Sequence, residues 1–169
     1  KTLRYSSQGD ITTLDPHAQN SGQNFNVLHQ IYETLVHRDQ QSKLVPSLAV
    51  SWSITADPTV WEFKLRPNVK FHDGAAFTAD DVVFSLERAM GPTSDMRGLL
   101  TSIDKVEKVD DLTVRIKTKG PNPLLINNLT NMFIMDKDWA EKNNVTKTQD
   151  FKNKEENFAV RNANGTGPY

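Results

Sequence analysis

The residues able to do chemistry in this chain are few and scattered. It has four histidines, His17, His29, His37 and His72, and no cysteine. No histidine pair is spaced as H-x-x-x-H or beside a second ligand-type residue on one helix face, so no zinc motif forms. The lack of cysteine removes disulfides, thiolate metal sites and a cysteine nucleophile. Each histidine is therefore expected at the surface or half-buried. His72-Asp73-Gly74 has the residue types of a catalytic fragment, but glycine after aspartate is turn chemistry: Gly74 supplies positive φ and Asp73 bonds the local backbone. Asp80-Asp81 and Asp110-Asp111 pair carboxylates in sequence, yet adjacent helical residues do not share a face. Capping and hairpin turning account for them. The serines lack a G-x-S-x-G context, and no Walker or G-x-G-x-x-G motif occurs.

The elements that must position these residues follow from periodicity. Leu3 to Ser6 alternates as a half-buried strand, and Gln8-Gly9-Asp10 breaks it. Leu14-Asp15-Pro16 reads as an extended turn. Phe25, Leu28, Ile31, Tyr32, Leu35 and Val36 recur at helical spacing, which predicts a helix over about 23–37. Leu44-Val45-Pro46 reads as a turn or short helical piece. Val50, Trp52, Ile54 and then Trp61, Phe63, Leu65 alternate around Asp57-Pro58, which makes a hairpin. In such a hairpin Trp52 and Trp61 are core residues rather than stacking platforms. Thr78 with Asp81 three residues on opens a helix, and Gly91-Pro92 closes it. A second hairpin spans Ile103 to Thr118 around Asp110-Asp111. Leu124 to Leu129 reads as a short helix, Phe133 to Met135 as a strand and Asp136 to Asn143 as a helix, and 145–160 is polar and weakly specified. The order of elements is an α+β pattern with antiparallel pairs.

Composition bounds the rest. A chain of 169 residues is long enough for one good core. A net charge of -1 argues against a nucleic-acid surface. With 37% hydrophobic residues and mean hydropathy -0.57, the chain reads as soluble and globular, without an apolar run that could span a membrane. No signal peptide is visible at Lys1-Thr2-Leu3-Arg4-Tyr5, as expected of a trimmed start.

The stretch from Leu44 to Arg88 carries a resemblance. Ala49, Trp52, Trp61-Glu62-Phe63-Lys64-Leu65-Arg66, Phe71-His72-Asp73-Gly74, Phe77-Thr78-Ala79 and Asp81-Val82 resemble the signature region of the bacterial family 5 extracellular solute-binding proteins. Leu14-Asp15-Pro16, Ile31-Tyr32-Glu33-Thr34-Leu35-Val36, Asp111-Leu112-Thr113-Val114-Arg115-Ile116 and Gly165-Thr166-Gly167-Pro168-Tyr169 extend it to both ends. The resemblance implies an α/β fold, the N-terminal part of a type II periplasmic-binding-protein-like architecture including its inserted subdomain. Residues 1–45 and 163–169 would belong to the main lobe and 46–162 to the insertion. It implies a periplasmic receptor that captures peptides or another small solute for an ABC importer, with a membrane permease as partner, no cofactor and no enzymatic step. Family members are about three times longer, so the chain reads as the first third of such a receptor. The resemblance points to three ligand-facing segments: Gln8, Gly9 and Asp10 after the first strand; Met96 and Arg97, where the family often has an aromatic; and Asn131 with Met132. Two other readings are a stand-alone interaction domain of the same fold and a small hydrolase using His72 and Asp73.

Overall fold

The structure, a computed structural model, describes residues 9–169. The strand expected at Leu3–Ser6 and the loop residue Gln8 lie outside the described residues. Helix α1 covers Gly22–Ile31, followed by short strands β1 (Val36–Arg38) and β2 (Leu44–Pro46). Strands β3 (Ala49–Ile54) and β4 (Val60–Leu65) precede α2 (Ala79–Ala89). A 3-10 turn at Arg97–Leu100 leads into β5 (Ile103–Asp110) and β6 (Thr113–Thr118). Helices α3 (Leu125–Leu129) and α4 (Lys137–Lys142) and a 3-10 turn at Phe158–Val160 complete the chain.

The main sheet is antiparallel with order β3-β4-β6-β5. Its alternation decides which face is covered. Trp61, Phe63 and Leu65 of β4 and Val114 and Ile116 of β6 are buried, while Lys64 and Arg115 are exposed. Val82, Leu86 and Ala89 of α2 join the same core. The start of α2 is closed by a capping box. Thr78 Oγ1 accepts from Asp80 N–H, and the Asp81 carboxylate accepts from Thr78 N–H at 2.8 Å. Gly74 holds φ at +94°, which only glycine adopts cheaply.

Four local expectations are corrected. Helix α1 ends at Ile31, not near His37. Tyr32 turns extended, and the carbonyls of Glu33, Thr34 and Leu35 accept from Ile134, Leu48 and both Ser47 and Ala49 instead of from the next helical turn. Tyr32, Leu35 and Val36 are still buried, because an extended strand can place the same apolar residues inward. Leu44–Pro46 is a strand, paired with Val36–Arg38. Phe133 to Met135 is not a strand; it makes a single bridge, Phe133 to Thr34. Finally, the alternation in β3 is only partly core, since Val50 and Ile54 are exposed on this edge strand and Trp52 is half-buried.

Candidate functional site

The segment after Asp10 is fixed by a buried polar cluster. Arg88, near the end of α2, forms two bonds with the Asp15 carboxylate, at 2.8 and 2.7 Å, and both side chains are fully buried. The remaining Arg88 donors reach the carbonyls of Val145 and Lys147 and Nδ1 of His17. Asp15 also accepts from the N–H groups of His17 and Gln149. A guanidinium only donates, so His17 Nδ1 accepts and Nε2–H donates to Phe133 O at 2.9 Å. Each charge is paired and each polar group satisfied, as burial at this depth requires. Burial raises the Asp15 pKa, but Arg88, with smaller contributions from the other groups around the carboxylate, leaves it below its usual range. Burial and the adjacent Arg88 push the His17 imidazole down to about 4. His17 is thus a neutral core residue, which corrects the expectation of a surface or half-buried histidine.

This cluster sets the position of the turn that follows. The His17 carbonyl accepts from Ser94 Oγ and Asp95 N–H, and Asn20 N–H donates to Asp95 Oδ2 at 3.0 Å. The loops at 17–20 and 92–98 are laced together in this way. Between them and residues 150–153 lies an open groove of about 540 Å³. Gln19, Asp95 and Arg97 line one side, and Asp150, Phe151 and Lys152 the other. Arg97 is exposed and spends Nη1 on Pro92 O at 3.1 Å. Asp150 is occupied by Asn153, through N–H and Nδ2, at 3.0 and 2.7 Å. The groove can therefore offer hydrogen-bond donors from Arg97 and Lys152 to a small polar molecule.

The segments singled out in the sequence are separated by the structure. Arg97 lines the groove, whereas Met96 is completely buried in the core beside it. Met132 is likewise a core residue at 1% exposure, with no surface to offer, and Asn131 is half-buried just past α3, away from the groove lining. Gly9 packs near the Gln23 side chain and Asp10 is exposed; neither lines the groove. The opposite wall, 150–153, falls in the stretch that the sequence leaves weakly specified. Asp73 does turn chemistry, accepting from Ala75 N–H at 3.0 Å. Among the described residues no group of three or more histidine, aspartate or glutamate side chains is arranged to hold a metal ion. No helix among them is long and apolar enough to cross a membrane.

The structure is a mixed α/β unit with an open polar groove, and comparison with known proteins gives its class. Residues 43–169 match the family model described as bacterial extracellular solute-binding proteins, family 5 Middle. The chain belongs to this family of solute-binding, non-enzymatic proteins. It is 41% identical over 121 residues to the glutathione-binding protein GsiB of Pectobacterium atrosepticum, a match covering 70% of this chain and 24% of that protein. Among solved structures it resembles NikZ of Campylobacter jejuni in complex with Ni(L-His), with TM-score 0.80 and 31% identity over 95% of this chain and 31% of that one. It also resembles DppA of Helicobacter pylori in complex with a peptide, with TM-score 0.79 and 30% identity over 94% of this chain and 34% of that one. The fold is thus part of the type II periplasmic-binding architecture. The chain spans between about a quarter and a third of the length of these relatives.

Proposed function

We propose that this chain supplies one wall of the binding cleft of a periplasmic receptor, which captures a peptide or similar small solute and delivers it to an ABC permease. The observation that carries the reading is the groove in which Gln19, Asp95 and Arg97 meet, held by hydrogen bonds from a fully buried polar cluster. Rigid support of exposed polar groups is what selective solute capture needs, because preorganised donors lose little freedom on binding. Relatives in the same family bind glutathione, a peptide and a nickel–histidine complex, all small polar solutes. The second lobe of a complete receptor would close over the groove by a hinge motion. On this reading the loop at Gly9 and Asp10 borders the cleft further out.

The test is titration calorimetry on the complete receptor, with a panel of short peptides that includes glutathione. Arg97→Ala should weaken the binding of the preferred solute roughly tenfold or more, since a charge-assisted bond is lost. Unchanged affinity would remove the groove from the site.

A further inference from the structure

Residues 164–169 run against the C-terminal end of α1. Gly167 N–H donates to Ile31 O at 2.9 Å and Tyr169 N–H to Gln30 O at 3.0 Å. The approach is so close that a Cβ at Gly165 would lie 2.0 Å from Ile31 O, and one at Gly167 would lie 2.7 Å from Gln30 O. Only glycine fits at either position. The other flank of this segment is held by the turn at 72–74. His72 N–H donates to Gly165 O at 2.9 Å. The His72 ring makes two more contacts: Gly165 N–H reaches Nδ1 at 3.3 Å, and Nε2 lies 2.8 Å from Gly167 O. Asp73 N–H adds a bond to Asn164 Oδ1 at 3.2 Å, and Asn164 Nδ2 is fixed by Asp136 at 2.9 Å.

The chemistry of these partners defines the state of the ring. A backbone N–H can only donate, so Nδ1 accepts. A carbonyl can only accept, so Nε2 carries the proton. We propose that His72 is a positioning residue: as the neutral Nε2–H tautomer it brackets Gly165 and Gly167 and seats residues 165–169 on α1. Lysine and arginine could only donate, and a carboxylate could only accept. A rigid ring with an acceptor on one nitrogen and a donor on the other satisfies both glycines at once. The bracketed segment has a consequence for the surface. Thr166, Gly167 and Pro168 form one wall of a second cavity, about 490 Å³, whose other side carries His29, Glu33 and Arg66. The shape of that cavity depends on where the bracket places the segment. The inference is independent of the solute-binding reading of the first groove.

Two measurements test it on this 169-residue chain. A long-range proton–nitrogen correlation spectrum should show Nδ1 of His72 unprotonated and Nε2 protonated; the opposite tautomer would overturn the proposal. Amide hydrogen exchange supplies the second. His72→Phe should accelerate exchange at Gly165 and Gly167 roughly fivefold, the worth of about one hydrogen bond each. Val114, in an interior strand of the sheet, should keep its wild-type rate. His72→Gln, which retains one donor and one acceptor, should recover part of the protection. Unchanged rates at the two glycines, or equal acceleration at Val114, would overturn the proposal. Should His72→Phe fail to fold, the tautomer of the unsubstituted chain decides alone.

Discussion

At the scale of single residues, Trp61 and His17 carry the sharpest expectations. Trp61 is 9% exposed, packs in the main core and, among the described residues, has no partner for its Nε1–H. Trp61→Ala should cost about 3–5 kcal/mol through lost burial and a cavity. Trp61→Phe should cost much less, within about 1–2 kcal/mol, because it also removes a buried donor that bonds nothing. Chemical denaturation of the two variants compares them directly. His17 and Asp81 set opposing pH dependences. With the His17 pKa held near 4 in the fold against 6.5 for a free histidine, the unfolded chain binds more protons between those values, so this residue lowers stability as pH falls from about 6.5 to 4. Burial moves Asp81 the other way, up to about 6 from 3.8, so the fold binds more protons and this residue adds stability as pH falls from about 6 to 3.8. Replacing Asp81 by Asn removes one arm of this balance. Unfolding measured from pH 7 to 4 should then show a steeper loss than in the unsubstituted chain, on the order of a few kcal/mol. Parallel curves for the two proteins would disprove the balance. Gly9 belongs to the same scale. In the complete receptor, Gly9→Trp should weaken solute binding while changing stability by less than about 1 kcal/mol, since the nearest group that a Cβ there meets among the described residues is the flexible end of Gln23. Equal affinity would take this loop out of the site.

At the scale of elements, legibility tracked how local the cause of each element is. The capping box at Thr78 and Asp81, the stop ahead of Gly91-Pro92 and the second hairpin are decided by residues a few positions apart, and all three were readable. Thr78→Ala should destabilise the chain by about 1 kcal/mol, measured by thermal unfolding. The end of α1 was not readable. Tyr32, Leu35 and Val36 fit the helical period, but the chain leaves the helix because Leu48, Ala49 and Ile134 bond its carbonyls from outside. No periodicity within 23–37 encodes those partners. β3 failed differently: alternation marks a strand, and an edge position leaves Val50 and Ile54 in solvent.

At the scale of the molecule, the buried cluster was hidden for a related reason. Asp15 and Arg88 stand 73 positions apart, and nothing local marks either as the partner of the other. The groove was half legible: Arg97 was singled out, but the wall at Asp150–Asn153 comes from a stretch without regular periodicity. The family signature pointed to the architecture because its aromatics, glycines and caps are each local. Breaking the cluster should matter more than its surface salt bridges do. Arg88→Ala strands the Asp15 carboxylate in the interior and should cost about 3–5 kcal/mol, whereas Arg161→Ala, at an exposed pair with Glu156, should cost under about 1 kcal/mol. Denaturant titration of the two variants checks the ranking.

The same long-range pairings order the folding of the chain in time. Thr13 bonds Gln149 across 136 positions, and His17 bonds Phe133 across 116. The sheet can form from Ala49 to Thr118 with neighbours that are mostly near in sequence. Residues 13–20 must wait for the far side of the chain, and closing such loops costs entropy before the contacts repay it. On a ribosome, residues 13–20 therefore have no native partner at 133 or 149 until those positions have been synthesised. The groove, whose walls come from those late-meeting segments, takes shape after the sheet.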